Sequence, residues 1–144
     1  MKKILSIMIV VWGIAVLCTL FLSSCKRPEV LDNSTLVNSA RNVALTFGPA
    51  YVPFFKEANV SDVQVFKKKD YGGDSRPQIR KQIGRKFYTV TFTYDSTAVK
   101  FDFGFAARVR IWKDTGEPLD VIFGNGWGRN FFFLSFKEQT DHSA

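Results

Sequence analysis

Cysteine and histidine are scarce in this chain of 144 residues. The two cysteines are Cys18 and Cys25, and the single histidine, His142, stands close to the C-terminus. A rigid Ser-His-Asp or Cys-His catalytic arrangement and a histidine-rich zinc site need residues that this sequence does not supply. A disulfide within one chain would require Cys18 to be retained. We therefore expect no enzyme activity, no metal and no cofactor.

Charged residues are also missing from the run Ile4 to Leu22, which follows Lys2 and Lys3. At helical rise its 19 residues are just long enough to cross the roughly 30 Å hydrocarbon core of a bilayer. The apolar core of a cleaved signal peptide is usually shorter. Length alone therefore leaves open both a membrane-spanning helix and a signal peptide that is removed.

The four residues that close this run, Leu22-Ser23-Ser24-Cys25, resemble the lipobox of bacterial lipoproteins. In that family an apolar residue and two small ones precede a cysteine that is acylated and becomes the first mature residue. The resemblance implies a signal peptide over residues 1–24, acyl chains on Cys25 and a tether over residues 25–33. Each buried methylene contributes about 0.8 kcal/mol, so several acyl chains give an attachment that hardly reverses. The alternative is an uncleaved helix with a chance cysteine at its end.

The residue after the cysteine bears on location. Lys26 stands where, by the sorting rule of enterobacterial lipoproteins, an aspartate would hold the protein at the inner membrane. The resemblance therefore implies the outer membrane of the cell envelope, and it leaves open whether the domain faces the periplasm or the outside. In that compartment we expect no nucleic-acid partner.

Basic side chains outnumber acidic ones in the mature chain, by 18 to 13. The excess is concentrated between Lys67 and Lys86, where eight basic side chains face only Asp70 and Asp74. They are Lys67, Lys68, Lys69, Arg76, Arg80, Lys81, Arg85 and Lys86. Such a segment suits anionic lipid headgroups, lipopolysaccharide phosphates or an acidic protein. Alternatively it is a solvated loop, because the residues from Tyr71 to Pro77 are typical of one.

The first elements of the predicted domain, which covers residues 34–144, are helical. Ser34 is placed to cap a helix whose apolar residues recur at helical spacing from Leu36 to Phe47. The dipeptide Gly48-Pro49 ends this helix. A second short helix is predicted over residues 51–58, with its aromatic residues packing beneath the first.

From residue 60 the apolar period changes to two, which is typical of strands. The predicted strands are a short one at Val63 and Val65, then Tyr88 to Tyr94, Phe101 to Trp112, Leu119 to Phe123, and Phe131 to Phe136. We predict an α+β fold in which the N-terminal helix packs on a curved antiparallel meander of about four or five strands. The order of elements resembles cystatin-like and nuclear-transport-factor-2-like folds, which host several unrelated roles.

Two turns set the predicted register. A three-residue loop, Asp114-Thr115-Gly116, places Arg110 opposite Asp120 as a cross-strand ion pair. A two-residue turn at Asn125-Gly126 sends one set of side chains to the core, namely Phe132, Leu134 and Phe136. It sends the other set outward, namely Trp127, Arg129, Phe131 and Phe133. A slide of one residue would exchange the two sets.

The outward side chains of these strands define a candidate interaction face. It consists of Arg108, Arg110, Trp112, Ile122, Phe131 and Phe133. Arginine and aromatic residues are enriched in protein interfaces, so this composition favours a contact surface. Alternatively, the segment from Val60 to Lys86 folds over the face and buries it, because that segment carries several apolar side chains.

Three functions are compatible with this architecture. The first is a membrane-anchored, non-enzymatic module that binds an unidentified envelope protein. The second is a carrier of a small apolar ligand in the concave side of the sheet, in a cavity lined by Phe47, Phe54, Phe92, Phe103 and Phe105. The third is a hydrolase that uses Asp102 and Asp120. Both carboxylates stand beside basic side chains, which argues for ordinary ionised groups and against the hydrolase.

Overall fold

The computed structural model describes residues 31–72 and 76–132. Helix α1 covers Asn33–Phe47, and a 3₁₀ helix over Pro49–Phe54 follows it. A second 3₁₀ helix, Lys68–Tyr71, and the one-turn helix α2, Pro77–Arg80, lie between the second and third strands. The strands are β1 Ala58–Val60, β2 Gln64–Val65, β3 Lys86–Phe92, β4 Ala107–Trp112, β5 Pro118–Phe123 and β6 Gly128–Asn130.

The six strands form one antiparallel sheet in the order β1-β3-β4-β5-β6, and β2 also pairs with β3. Strands β3 to β6 pair in chain order, as in a meander. Helix α1 packs on one face of the sheet, which we call the inner face; the opposite one is the outer face. The predicted α+β architecture is confirmed. Strand β2 matches the short strand predicted at Val63 and Val65, β1 was not predicted, and the last described strand is Gly128–Asn130, ahead of the strand predicted from Phe131.

Helix α1 and the inner face share the main core. Its buried members are Leu36, Ala40, Val43, Ala44, Val90, Phe92, Ala107, Val109, Ile111, Val121 and Phe123. The core members from the sheet are every second residue of a strand, because side chains two positions apart share a face. After the first 3₁₀ helix, Phe55 stacks on Phe92 with ring centroids 4.2 Å apart. Phe54 is 39% exposed, so only one of the two phenylalanines packs beneath α1 as predicted.

The cap of α1 is Asp32 and not Ser34. The Asp32 Oδ1 atom accepts a hydrogen bond from the Thr35 N–H at 2.7 Å and from the Ser34 hydroxyl at 3.2 Å. The bonds from Thr35, above all, lower the pKa of the Asp32 carboxyl. A carboxylate also suits the positive end of a helix dipole. The helix ends at Phe47 with Gly48 as its C-cap, as predicted.

The predicted strand from Phe101 to Trp112 is a strand only from Ala107 onward. Its neighbours are β3 and β5, and these end at Phe92 and Phe123. Residues 101–106 therefore have no strand beside them to form a regular ladder, although their apolar residues alternate. Single backbone hydrogen bonds still join Phe103 to Gly124 and Ala106 to Phe92 and Gly124, where the neighbouring strands finish. The segment bends instead, and the alternation reflects packing in a loop.

The pairing of Arg110 with Asp120 is confirmed. The turn that joins β4 to β5 is one residue longer than predicted, because the Trp112 N–H donates to the Glu117 carbonyl. A register shift in β5 compensates, since Arg110 pairs with Asp120 and Ile111 with Pro118. Leu119 is the extra residue of this bulge, and it packs in the outer-face cluster that contains Trp112.

The hairpin between β5 and β6 is shifted by one residue from the prediction. The Phe123 N–H donates to the Trp127 carbonyl, so the turn has three residues, and Gly126 takes a φ of 84°. The shift places Phe131 on the inner side, 5.4 Å from the Phe47 ring. The predicted outward orientation of Phe131 is therefore wrong, because a one-residue slip exchanges the two faces. The same holds for Trp127 and Arg129, which lie against Phe123 and Phe47 on the inner side.

Candidate functional site

The structure divides the predicted interaction face. Arg108, Arg110 and Ile122 lie together on the outer face of β4 and β5. Trp112 shares that face but is only 5% exposed. The expected exposure is wrong for Trp112, which is covered by other side chains, and for Phe131, which faces inward. Phe133 lies outside the described residues.

A second apolar cluster covers one half of the outer face. It consists of Phe66, Ile79, Phe87, Trp112 and Leu119, with Tyr71 and Phe132 partly buried against it. Phe66 and Ile79 come from the segment between β2 and β3, and both are fully buried. That segment therefore does fold over the sheet, as the alternative predicted. It covers the half of the face around Trp112 and leaves the other half open.

Arg110 and Asp120 form an ion pair at the border between the two halves. The Arg110 Nε donates to both carboxylate oxygens of Asp120, at 2.9 and 3.0 Å, and its Nη2 donates to Oδ2. The two side chains are 16% and 7% exposed. Burial alone would lower the pKa of Arg110, but the hydrogen bonds and the charge of Asp120 raise it above its ordinary value. Arg110 therefore stays a cation that holds the Asp120 carboxylate in place.

The uncovered half of the outer face is an open groove of about 540 Å³. Its floor and margins are formed by Ser61, Gln64, Asp70, Phe87, Thr89, Thr91, Arg108, Arg110, Asp120 and Ile122. Arg108 is exposed, and its guanidinium carbon lies 4.3 Å from the centre of the Phe105 ring. We call this surface the outer groove. Its hydroxyl, amide and charged groups suit a polar chain such as a peptide better than a small apolar ligand.

Three large aromatic side chains are exposed at the end of the sheet where β5 finishes and β4 begins. Phe54, Phe103 and Trp127 are 39, 46 and 48% exposed. Phe103 stacks on Phe105 with centroids 5.4 Å apart, and Phe105 in turn lies under Arg108. We call the three exposed residues the aromatic end. Phe103 borders the outer groove at Arg108, whereas Trp127 stacks on the inner-face residue Phe123 with ring centroids 5.4 Å apart.

Sequence reasoning missed the aromatic end because it assigned Phe103 to a buried strand face. The turn of the β5–β6 hairpin reaches Phe103, since a side-chain carbon at Gly126 would lie 3.3 Å from that ring. The glycines around these aromatic residues, Gly104 and Gly126, are the signal that was available. They interrupt the strand pattern where the chain leaves the sheet.

The phenylalanines predicted to line a ligand cavity do not surround one space. Phe92 is fully buried against Phe55, and Phe105 is 6% exposed. Phe54 and Phe103 belong to the aromatic end, and Phe47 contacts Phe131. Between helix and sheet the described rings pack on one another.

The two carboxylates considered for a hydrolase, Asp102 and Asp120, lie in different surroundings. Asp102 is exposed on the loop before β4, and Asp120 is committed to Arg110. Among the residues that the structure describes, no group of three histidine, cysteine or acidic side chains is arranged to hold a metal ion. The described helices include none long and apolar enough to cross a membrane. Cys25 and the run before it lie outside these residues.

The chain matches no protein-family model, no curated protein and no solved structure.

Proposed function

We propose that this chain is a bacterial envelope lipoprotein, held by acyl chains on Cys25 and directed to the outer membrane. Its domain is a non-enzymatic module that binds another envelope protein through the outer groove and the aromatic end. The lipobox resemblance of Leu22-Ser23-Ser24-Cys25 supports the anchor. The exposed residues of the domain support the binding role.

The observation that carries the binding role is the position of Arg108 beside an open groove, over a Phe105 ring that stacks on the exposed Phe103. Arginine, tryptophan and other aromatic residues dominate the binding energy of protein interfaces. Here Phe103 and Trp127 remain exposed although the fold buries many other aromatic side chains.

The ion pair supports binding rather than catalysis. Asp120 accepts three hydrogen bonds from Arg110, so its oxygens are occupied and its position is fixed. A general acid or base needs a carboxylate that is free to exchange its proton near the operating pH. The pair instead gives the groove a rigid polar wall.

A capture experiment tests the binding role. Residues 26–144 serve as bait on detergent-solubilised envelope extract, beside the variant Arg108→Glu/Trp127→Ser. The control is Lys81→Glu/Ile83→Ser, which likewise reverses one cation and removes one large apolar side chain, at exposed positions just after α2. We expect a partner that the parent and the control retain and that the first variant loses. Equal capture by all three proteins would remove the proposed surface.

The anchor is tested separately by the mass of the mature protein. We expect the chain in the membrane fraction to begin at Cys25 and to carry the mass of its acyl groups. Cys25→Ser should leave the precursor unprocessed. A mature protein that begins before Cys25, or that carries no added mass, would show that the lipoprotein assignment is wrong.

A further inference from the structure

The net charge of the mature chain is concentrated in two segments. Lys67 to Lys86 and the turn from Lys113 to Glu117 together contain nine basic and four acidic side chains. The remaining residues from Cys25 onward contain nine of each sign. The rest of the domain is therefore electrically balanced, and these two segments carry the whole excess.

The fold joins these two segments into one surface. The Lys113 N–H donates to the Lys86 carbonyl at 2.9 Å. The Arg85 guanidinium bonds both carboxylate oxygens of Asp114, at 2.6 and 3.0 Å, and lies 4.0 Å from the centre of the Trp112 ring. The exposed cations of the two segments are Lys67, Lys68, Lys69, Arg76, Arg80, Lys81, Lys86 and Lys113.

We call this surface the basic end. Strand β4 runs from the aromatic end at Ala107 to Trp112, where Lys113 and the basic end begin. The two ends are therefore separated by the length of a six-residue strand, roughly 20 Å.

The described chain also starts at the basic end. The Leu31 side chain lies 3.4 Å from the position that a side-chain carbon at Gly116 would take. Six steps of the chain separate Cys25 from Leu31, which span at most roughly 20 Å. Helix α1 then leads about 22 Å away from this point towards Gly48. An anchor at Cys25 therefore keeps the basic end close to the bilayer that holds it.

We propose that the basic end lies on the anionic phospholipid headgroups of the membrane in which Cys25 is anchored. The inference rests on the proposed anchor. Six of the nine cations are lysines, which protein interfaces deplete and which clustered lipid-binding segments use. In this orientation the aromatic end points away from the anchoring bilayer, and the outer groove stays open to a partner protein.

Vesicle binding by residues 26–144 tests this inference without the acyl chains. The described core residues all lie after Val30, so this fragment retains the folded unit. The vesicles contain either phosphatidylcholine alone or equal parts of phosphatidylcholine and phosphatidylglycerol. The basic-end variant is Lys68→Glu/Lys69→Glu, and the control is Lys56→Glu/Lys100→Glu, which changes the net charge equally at exposed positions near the aromatic end. Near-ultraviolet circular dichroism checks that each variant is folded.

We expect binding to the anionic vesicles only, weakened by added salt. The basic-end variant should bind them on the order of 30-fold more weakly, and the control should lose much less. No binding to anionic vesicles, equal losses in both variants, or binding to neutral vesicles that salt does not change would each overturn the inference. Cys25 is absent from the fragment, so a failure of vesicle binding says nothing about the anchor or the protein partner. The mass measurement tests the anchor, and the capture experiment tests the partner.

Discussion

Arg110 and Asp120 show how single residues shape the outer face. Two adjacent strands place them opposite each other, and the second apolar cluster removes most of the water around them. The guanidinium also lies 5.4 Å from the Phe87 ring centre and 5.9 Å from that of Phe66. Desolvation of both charges costs free energy that the bidentate bonds offset. A partner removed from such a pair leaves a buried charge behind.

Replacing one member of the pair should therefore lower the free energy of unfolding more than replacing both. We expect Asp120→Ala to lower the free energy of unfolding by about 3–5 kcal/mol, because Arg110 is left buried and unpaired. The double variant Arg110→Met/Asp120→Leu should recover most of that loss. Urea unfolding followed by fluorescence measures both.

The exposed pair of Arg85 and Asp114 is the comparison for this prediction. The Asp114 side chain is 55% exposed, so Asp114→Ala should cost less than about 1 kcal/mol. If Asp120→Ala also costs less than that amount, the pair is solvated and the account of the outer face is incorrect.

At the scale of elements, the alternation of apolar residues located β3, β4 and β5, but not where they end. Alternation describes which face a side chain takes, and it carries no information about whether a neighbouring strand is present. The same pattern therefore continued through residues 101–106, where no partner strand exists. The pairing of Arg110 with Asp120 was predictable because opposite charges and the inner-face residues both required it.

The orientation of Trp112 and Phe131 was not predictable from the pattern alone. Trp112 lies on the outer face, as the alternation predicts. The side chains that bury it, Phe66 and Ile79, are distant in the sequence. Phe131 depends on whether the turn has two residues or three, and Asn125-Gly126 fits both lengths. Predicting the burial of Trp112 would require knowing which distant segment packs on it. Predicting the orientation of Phe131 would require knowing the length of one turn.

The two tryptophans of the domain give opposite predictions. Trp112→Ala should lower the free energy of unfolding by about 3–5 kcal/mol, because it empties the centre of the second cluster. Trp127→Ala should change it far less, since that side chain is 48% exposed. Chemical denaturation of both variants decides. A small loss for Trp112→Ala would mean that the outer face is open along its whole length.

The loop between β5 and β6 packs tightly against the bent segment before β4. A side-chain carbon at Gly124 would lie 2.5 Å from the Phe105 carbonyl oxygen and 2.6 Å from the Phe101 ring. We expect Gly124→Ala to lower the free energy of unfolding by about 1–3 kcal/mol, because the Phe105 backbone and the Phe101 ring must both move. Thermal unfolding of this variant beside Gly104→Ala provides the test, since no heavy atom lies within 4 Å at Gly104. Equal melting temperatures for the two variants would contradict the packing described for this loop.

At the scale of the whole molecule, the domain has two ends of different chemistry and one open face between them. The basic end collects the net positive charge and lies beside Leu31, where the described chain begins. The aromatic end presents Phe54, Phe103 and Trp127 about one strand length away. Composition predicted the basic segment, but only the fold shows that the described chain starts at that same end.

Site-specific photocrosslinking in intact cells tests the central claim, that the outer groove and the aromatic end bind an envelope protein. A photoreactive residue replaces Arg108 or Trp127, and the control positions are Leu45 and Ile83, which are 46 and 45% exposed. We predict one adduct of defined mass from Arg108 and Trp127 and none from the controls. No adduct at Arg108 and Trp127, or the same adduct from all four positions, would contradict the account.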